Sequence, residues 1–294
     1  MSEEQEQPMS RKTNRYIMDQ ENAMEMARLL LQDRVITQAM GGLLPDSLDA
    51  DGISQVLDIA CGPGGWVLEV AQTYPQMEVT GVDLDRMLVQ YGQAQAAALG
   101  LENAHFRVMD ATRPLKFADS SFDLVNARLL FGFMLPQHWP RLVAECFRVL
   151  RPGGILRLTE CEAAVTNSAG FEQMAGYLTQ ALKLAGQSFS PTGTTIGITP
   201  MLRRFLRDAG LTHLQARPFV IDWSAGSEAH ESMAENFFVG FQLVQPFLLK
   251  MQVADEDQLE QAYEQANQDL QADDFCGLWY YLSVWGEKPG AAAS

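Results

Sequence analysis

The chain has 294 residues, 47% of them hydrophobic, and a formal net charge of −16. That apolar content supports a sizeable core and a single elaborated domain. The negative charge argues against a nucleic-acid substrate, whose phosphates are met by Lys and Arg, and against an anionic membrane surface.

Residues 1–12 are polar and read as a disordered tail. Residues 13–50 form an N-terminal helical segment, because Met24, Met26, Leu29, Leu30, Val35 and Ile36 place an apolar face within Tyr16–Met40. Residues 51–160 then alternate strand and helix. Strands are predicted at 54–60, 77–83, 103–108, 121–127 and 153–160, and helices at 65–73, 86–98 and 138–150. This βα alternation calls for a mostly parallel sheet with helices on both faces. Pro152-Gly153-Gly154 reads as the turn that ends a helix and starts the fifth strand.

The pattern changes over 161–289. Helices are predicted at 171–187, 200–210, 228–251 and 255–271, with strands at 212–223 and 275–285. Phe237, Phe238, Val239, Gly240 and Phe241, followed by Leu243, Val244, Phe247 and Leu248, are apolar enough to line a pocket or to fill a core. The four cysteines (Cys61, Cys146, Cys161, Cys276) contain no C-x-x-C pair and read as small buried hydrophobes, and the four histidines lie far apart. No metal site is expected. The N-terminus has no apolar signal core, and no run approaches the roughly 20 apolar residues of a membrane span, so a cytoplasmic, soluble protein is expected.

The chemistry concentrates around Val56-Leu57-Asp58-Ile59-Ala60-Cys61-Gly62-Pro63-Gly64-Gly65 and the strand that ends at Asp83. The glycines permit positive φ and close approach of a ligand. Asp83 lies at roughly the 20-residue offset at which nucleotide-binding βαβ units place a ribose-binding acid. The pattern G-x-G-x-x-G fails, since Val67 holds the third glycine position. Asp58, just before the turn, disfavours a pyrophosphate and favours a ligand with positive charge. S-adenosylmethionine fits: it has ribose hydroxyls, an ammonium, a sulfonium and no phosphate. An NAD-linked oxidoreductase is disfavoured on the same grounds.

With Asp110-Ala111 after the third strand and Arg148-Val149-Leu150-Arg151-Pro152-Gly153-Gly154, these motifs resemble those of the class I S-adenosylmethionine-dependent methyltransferases over roughly residues 50–160. Ala60 departs from a pattern that often has glycine there. The resemblance implies a Rossmann-like, seven-stranded, mostly parallel sheet, with its last two strands antiparallel at the edge. Residues 51–160 become the cofactor-binding core, residues 13–50 fold over the cofactor, and insertions at 168–187 and 228–271 form a helical cap.

It also implies site roles. Asp58 holds the ammonium end, and Cys61, Gly62 and Gly64 supply close backbone. Asp83 takes the ribose hydroxyls, Leu84 and Met87 pack near the adenine, and Asp110 with the Ala111 amide reads the base. Asn126 and Arg128 meet the methionine part, and Tyr16 lies near the sulfonium. Methyl transfer is an in-line displacement that depends on alignment, with a base where the acceptor loses a proton. Glu160, at the end of the fifth strand, and His138, which also reads as a helix cap, are the candidate catalytic residues. The implied product is S-adenosylhomocysteine. The implied substrate is a small, partly apolar molecule with an O, N or C acceptor, handled by a monomer or homodimer. A non-enzymatic cofactor-binding regulator or partner subunit, or a protein methyltransferase, are the alternatives.

Overall fold

The computed structural model describes Met18, residues 23–45 and residues 48–290. Tyr16 and the predicted tail at 1–12 lie outside the described residues. In chain order the elements are α1 (Ala23–Ala39), β1 (Gln55–Ile59), α2 (Gly65–Thr73), β2 (Glu78–Asp83), α3 (Arg86–Leu99), β3 (Ala104–Val108), β4 (Phe122–Arg128), α4 (Trp139–Val149), β5 (Leu150–Cys161), β6 (Val165–Thr166), α5 (Ala169–Leu184), α6 (Thr199–Asp208), β7 (Thr212–Asp222), α7 (His230–Lys250), α8 (Glu256–Leu270) and β8 (Gly277–Glu287).

The strands form one sheet in the order β3-β2-β1-β4-β5-β8-β6, with β7 on the other side of β8. Strands β1 to β5 run parallel, and β8 is antiparallel to both β5 and β7. The sheet has eight strands, against the seven expected. The extra one, β6, resumes the line of β5 along β8: Cys161 pairs with Tyr281, and Val165 with Leu278. Residues 162–164 bulge between them.

Pro152-Gly153-Gly154 also sits differently from the sequence reading. It lies inside β5, where the pairing with β4 shifts from Phe122–Leu150 to Leu124–Ile155. Gly153 (φ +80°) donates its N–H to the Lys288 carbonyl at 2.8 Å.

Local signals set the helix ends. Asp85 caps α3 by accepting from the N–H groups of Met87 and Leu88, and Gly100 closes it in the left-handed conformation. Ser168 caps α5, and Asp255 with Gln258 forms a capping box on α8. Successive residues of the central strand bury on opposite faces. Leu57 and Ile59 join the apolar cluster beneath α4 and the C-terminal helices, while Val56 joins Trp66, Val70, Met77 and Phe106. Helices α5 and α8 cross closely at Gly170, where a Cβ would strike the Ala266 backbone.

One glycine of the turn serves packing. Gly64 precedes α2 at φ +87°, and a Cβ there would run into the Phe106 ring, which also fills the space beside Gly92. Gly64→Ala should therefore lose about 2–4 kcal/mol of stability, from left-handed backbone strain and overpacking together. Chemical denaturation of Gly64→Ala, Phe106→Leu and the double variant should show the second change recovering part of the loss. A wild-type midpoint for Gly64→Ala would refute this packing role.

Candidate active site

The C-terminal ends of β1, β2 and β4 open into a cavity of about 640 Å³, roofed by α1 and α7. Open parallel sheets bind ligands at this edge.

Asp58 sits there at the end of the central strand, buried, and lines the cavity. Asn126 on β4 donates its Nδ2 to Asp58 Oδ1 at 2.7 Å, and Asn126 Oδ1 accepts from Arg157 Nε on β5 at 2.8 Å. Arg157 passes its Nη1 to the Leu43 carbonyl at 2.8 Å and lies 5.3 Å over the Trp66 ring, whose Nε1 donates to the same carbonyl. Burial pushes the Asp58 carboxyl up to about 7 against the attraction of Arg128 and Asn126. Burial pushes the Arg157 guanidinium down to about 9.

Asp83 ends β2 and fixes the glycine turn. Its Oδ2 accepts the Gly62 N–H and its Oδ1 the Asp85 N–H, each at 2.9 Å, while burial pushes its pKa up. Ala60 and Gly62 are both left-handed, at φ 54° and 56°. The space beside Gly62 is open, a Cβ there meeting only Leu29 Cδ1 at 3.9 Å. Asp110 follows β3 and makes an Asx-type turn, its Oδ1 accepting from Thr112 N at 2.9 Å and Thr112 Oγ1 at 2.6 Å. Its Oδ2 lies 3.2 Å from Arg113 Nε.

Arg128, at the end of β4, pairs with Asp33 of α1 and donates to Thr37 Oγ1 at 3.1 Å. These bonds seat α1 on the sheet. Asp33 also lies where a Cβ of Gly65 would stand, so that glycine admits the helix.

The cavity lining includes Asp58, Cys61, Gly62, Asp83, Leu84 and Asp110, together with Ala111, Arg128 and His138. Four candidates fall outside it. Gly64 is taken up by Phe106, and Met87 is 55% exposed while its neighbour Leu88 lines the cavity. Asn126 is fully buried behind Asp58. Glu160, the candidate catalytic residue at the end of the fifth strand, does not line the cavity. Instead, its two oxygens accept the backbone N–H groups of Leu130 (2.7 Å) and Phe131 (3.4 Å), and burial pushes it up to about 8. It holds the turn that carries Phe131, Gly132 and Phe133 into the cavity.

His138 stands at the N-cap position of α4 but makes no side-chain cap bond. Its Nδ1 is buried without a partner among the described residues. Of the aromatic run on α7, Phe237, Gly240, Phe241 and Val244 line the cavity, Leu243 and Leu248 enter the core, and Phe238 is exposed. Of the cysteines expected to be buried, Cys146 and Cys161 are, Cys61 is partly so, and Cys276 is exposed. The sequence reading missed Gln32, Asp33 and Asn236, whose roles depend on how α1 and α7 meet.

Residues 56–154 match the family described as a methyltransferase domain. The chain is an S-adenosylmethionine-dependent methyltransferase of class I. It is 28% identical over 190 residues to the demethylmenaquinone methyltransferase of Bacillus cytotoxicus, a match covering 60% of this chain and 78% of that one. It is 36% identical to the trans-aconitate 2-methyltransferase of Deinococcus radiodurans over 35% of this chain and 36% of that one. In fold it resembles phosphoethanolamine N-methyltransferase 2 of Haemonchus contortus, solved with phosphomonomethylethanolamine and S-adenosylhomocysteine. The TM-score is 0.52 at 15% identity, with 90% of this chain and 57% of that one covered.

The site fits the cofactor of this family. Open space lies beside the Gly62 backbone, and the buried carboxylate of Asp58 suits a cationic ligand. Among the described residues, no helix of the methyltransferase is long and apolar enough to cross a membrane.

Asp58 gives the ligand-free enzyme a pH signature. Between the ordinary value of 3.8 and about 7, the folded protein keeps a proton that the unfolded chain has released, so stability falls as pH rises through that window. Asp58→Asn should melt higher than wild type at pH 8, by on the order of 5 °C, and the gap should close towards pH 4. Thermal scans across pH check this; a gap independent of pH would contradict the buried, ionising carboxylate.

Proposed function

We propose that the methyltransferase acts on a small, largely apolar acceptor held beside the cofactor in the one cavity. The observation that carries this reading is the composition of the roof and wall. Phe131, Phe133, Phe237, Phe241 and Trp279 share the cavity with Asp58, Asp83 and Asp110. Behind them Phe171 packs on Phe237 and Phe241 at centroid distances of 4.8 and 5.0 Å, so the aromatic wall is braced from the core. Charge supports the same reading. Each arginine lining the cavity is already paired: Arg28 with Glu25, Arg113 with Asp110 and Arg128 with Asp33. An acceptor recognised through carboxylates or phosphate needs an uncommitted cation; an apolar one does not. The likeness to a demethylmenaquinone methyltransferase points the same way. A protein side chain would have to enter beneath α1 and α7, which Arg28 and Asn236 join at 3.0 Å.

In this reading the cofactor supplies an electrophilic methyl group. Asp83 receives the ribose hydroxyls, Asp110 and Ala111 meet the base beside Leu84 and Leu88, and Asp58 faces the ammonium end. Cys61 and Gly62 border the ligand through their backbone. Arg128 fixes α1 and the position of Asp33. The turn held by Glu160 presents Phe131 and Phe133 to the acceptor, excluding water and aligning the attacking atom. His138 takes a proton where the acceptor has one to lose; Glu160 acts on position alone.

Transfer of labelled methyl from S-adenosylmethionine to a panel of hydroquinones, phenols, carboxylates, phosphorylated amines and peptides tests the acceptor class. Labelling of hydroquinones or phenols is the expected result, and labelling confined to peptides or phosphorylated amines would overturn the reading. Asp83→Ala, which loses charge-assisted bonds, should weaken S-adenosylhomocysteine binding by roughly 10- to 100-fold in titration calorimetry. Unchanged affinity would remove the ribose assignment.

A further inference from the structure

A polar cluster interrupts the apolar roof. Arg28 on α1 is buried and grips Glu25 with two bonds, Nε to Oε2 at 2.6 Å and Nη2 to Oε1 at 2.7 Å. Its Nη1 reaches two amides, donating to Asn236 Oδ1 of α7 at 3.0 Å and to Gln32 Oε1 at 3.3 Å. Asn236 is 2% exposed and Gln32 8%, and both line the cavity.

A guanidinium has donors only, so both amide oxygens must face it. Each amide is thereby fixed in one orientation, with its –NH₂ turned away from Arg28. Neither –NH₂ has a partner among the described residues. Two oriented neutral donors, both anchored on Arg28 Nη1, thus border the cavity that Phe237 and Phe241 also line.

We propose that Asn236 and Gln32 form the acceptor's polar anchor, donating to a neutral carbonyl or hydroxyl oxygen. This rests on the apolar-acceptor reading above and names the group that orients the molecule. Glu25 balances the charge of Arg28, so the anchor carries no net positive charge and favours a neutral oxygen over a carboxylate. Arg28 is a positioning residue: it acts through the two amides. An oxygen held at this point fixes one end of the ring system, which determines which of its atoms is presented to the methyl group.

The test compares α-tetralone with tetralin, which share a carbon skeleton and differ in one carbonyl. Each is titrated into the full-length protein saturated with S-adenosylhomocysteine. Wild type should bind α-tetralone about tenfold more tightly than tetralin, the worth of one to two neutral hydrogen bonds. Asn236→Asp keeps an oxygen for Arg28 but replaces the donor, so it should erase most of that preference while S-adenosylhomocysteine affinity stays at the wild-type value. Gln32→Glu makes the same change on the other amide and serves should Asn236→Asp fold poorly. Equal binding of the two probes to wild type would overturn the anchor and leave the apolar pocket standing. A full preference retained in both Asn236→Asp and Gln32→Glu would overturn it as well. Binding of neither probe would overturn the apolar-acceptor reading and the anchor with it.

Discussion

A carboxylate buried at the end of the central strand sets most of the polar architecture. Asp58 emerges from a stretch with no solvent contact, and a lone ion there is costly. Its compensation spreads sideways through the sheet: Asn126 on β4, Arg157 on β5, then the Leu43 carbonyl in the segment after α1. Arg128 also attracts the Asp58 charge, while its own donors go to Asp33 and Thr37. The docking of α1 is thus tied to the electrostatics of the strand end. The compensation is incomplete, as the carboxyl's rise to about 7 shows. A cationic ligand would complete it.

The cap repeats this logic with less charge. α1 meets α7 beside Gly240, and the ion pair of Arg28 with Glu25 is buried between them. Such a pair contributes little net stability, because desolvation offsets the attraction. Its consequence is geometric, since it orients Gln32 and Asn236. Glu160 plays a similar part on the opposite wall, where its burial is offset by two backbone N–H bonds and the turn above it is held. There an acid that the sequence offered as a catalytic candidate holds a backbone turn.

Much of this was legible in the residues. Strand and helix positions in the core follow from short β-branched runs, helical spacing and turn residues, and each core element falls within a few residues of its expected range. Asp83 was legible because its offset from Gly62 reflects one helix and two strand ends. The roles of Gly64 and Gly65 were not: Phe106 and Asp33, which fill the space beside them, come from distant parts of the chain. The break between β5 and β6 was equally hidden, since two residues form too short a strand for periodicity to register.

By itself the sequence determined the βα framework and the carboxylates, Asp58 and Asp83, that stand at its strand ends beside the cavity. Both are local: apolar periodicity specifies elements, and a carboxylate at a strand end keeps its place whatever packs above. Tertiary structure decided what lines the rest of the cavity. Whether Glu160 faces the cavity or a backbone turn, which face of α7 is turned inward, and how Arg28 orients Gln32 and Asn236 all depend on contacts between segments up to about 200 residues apart. Side-chain direction at such contacts is set by packing and by the cost of leaving buried polar groups unpaired, and one-dimensional spacing carries neither.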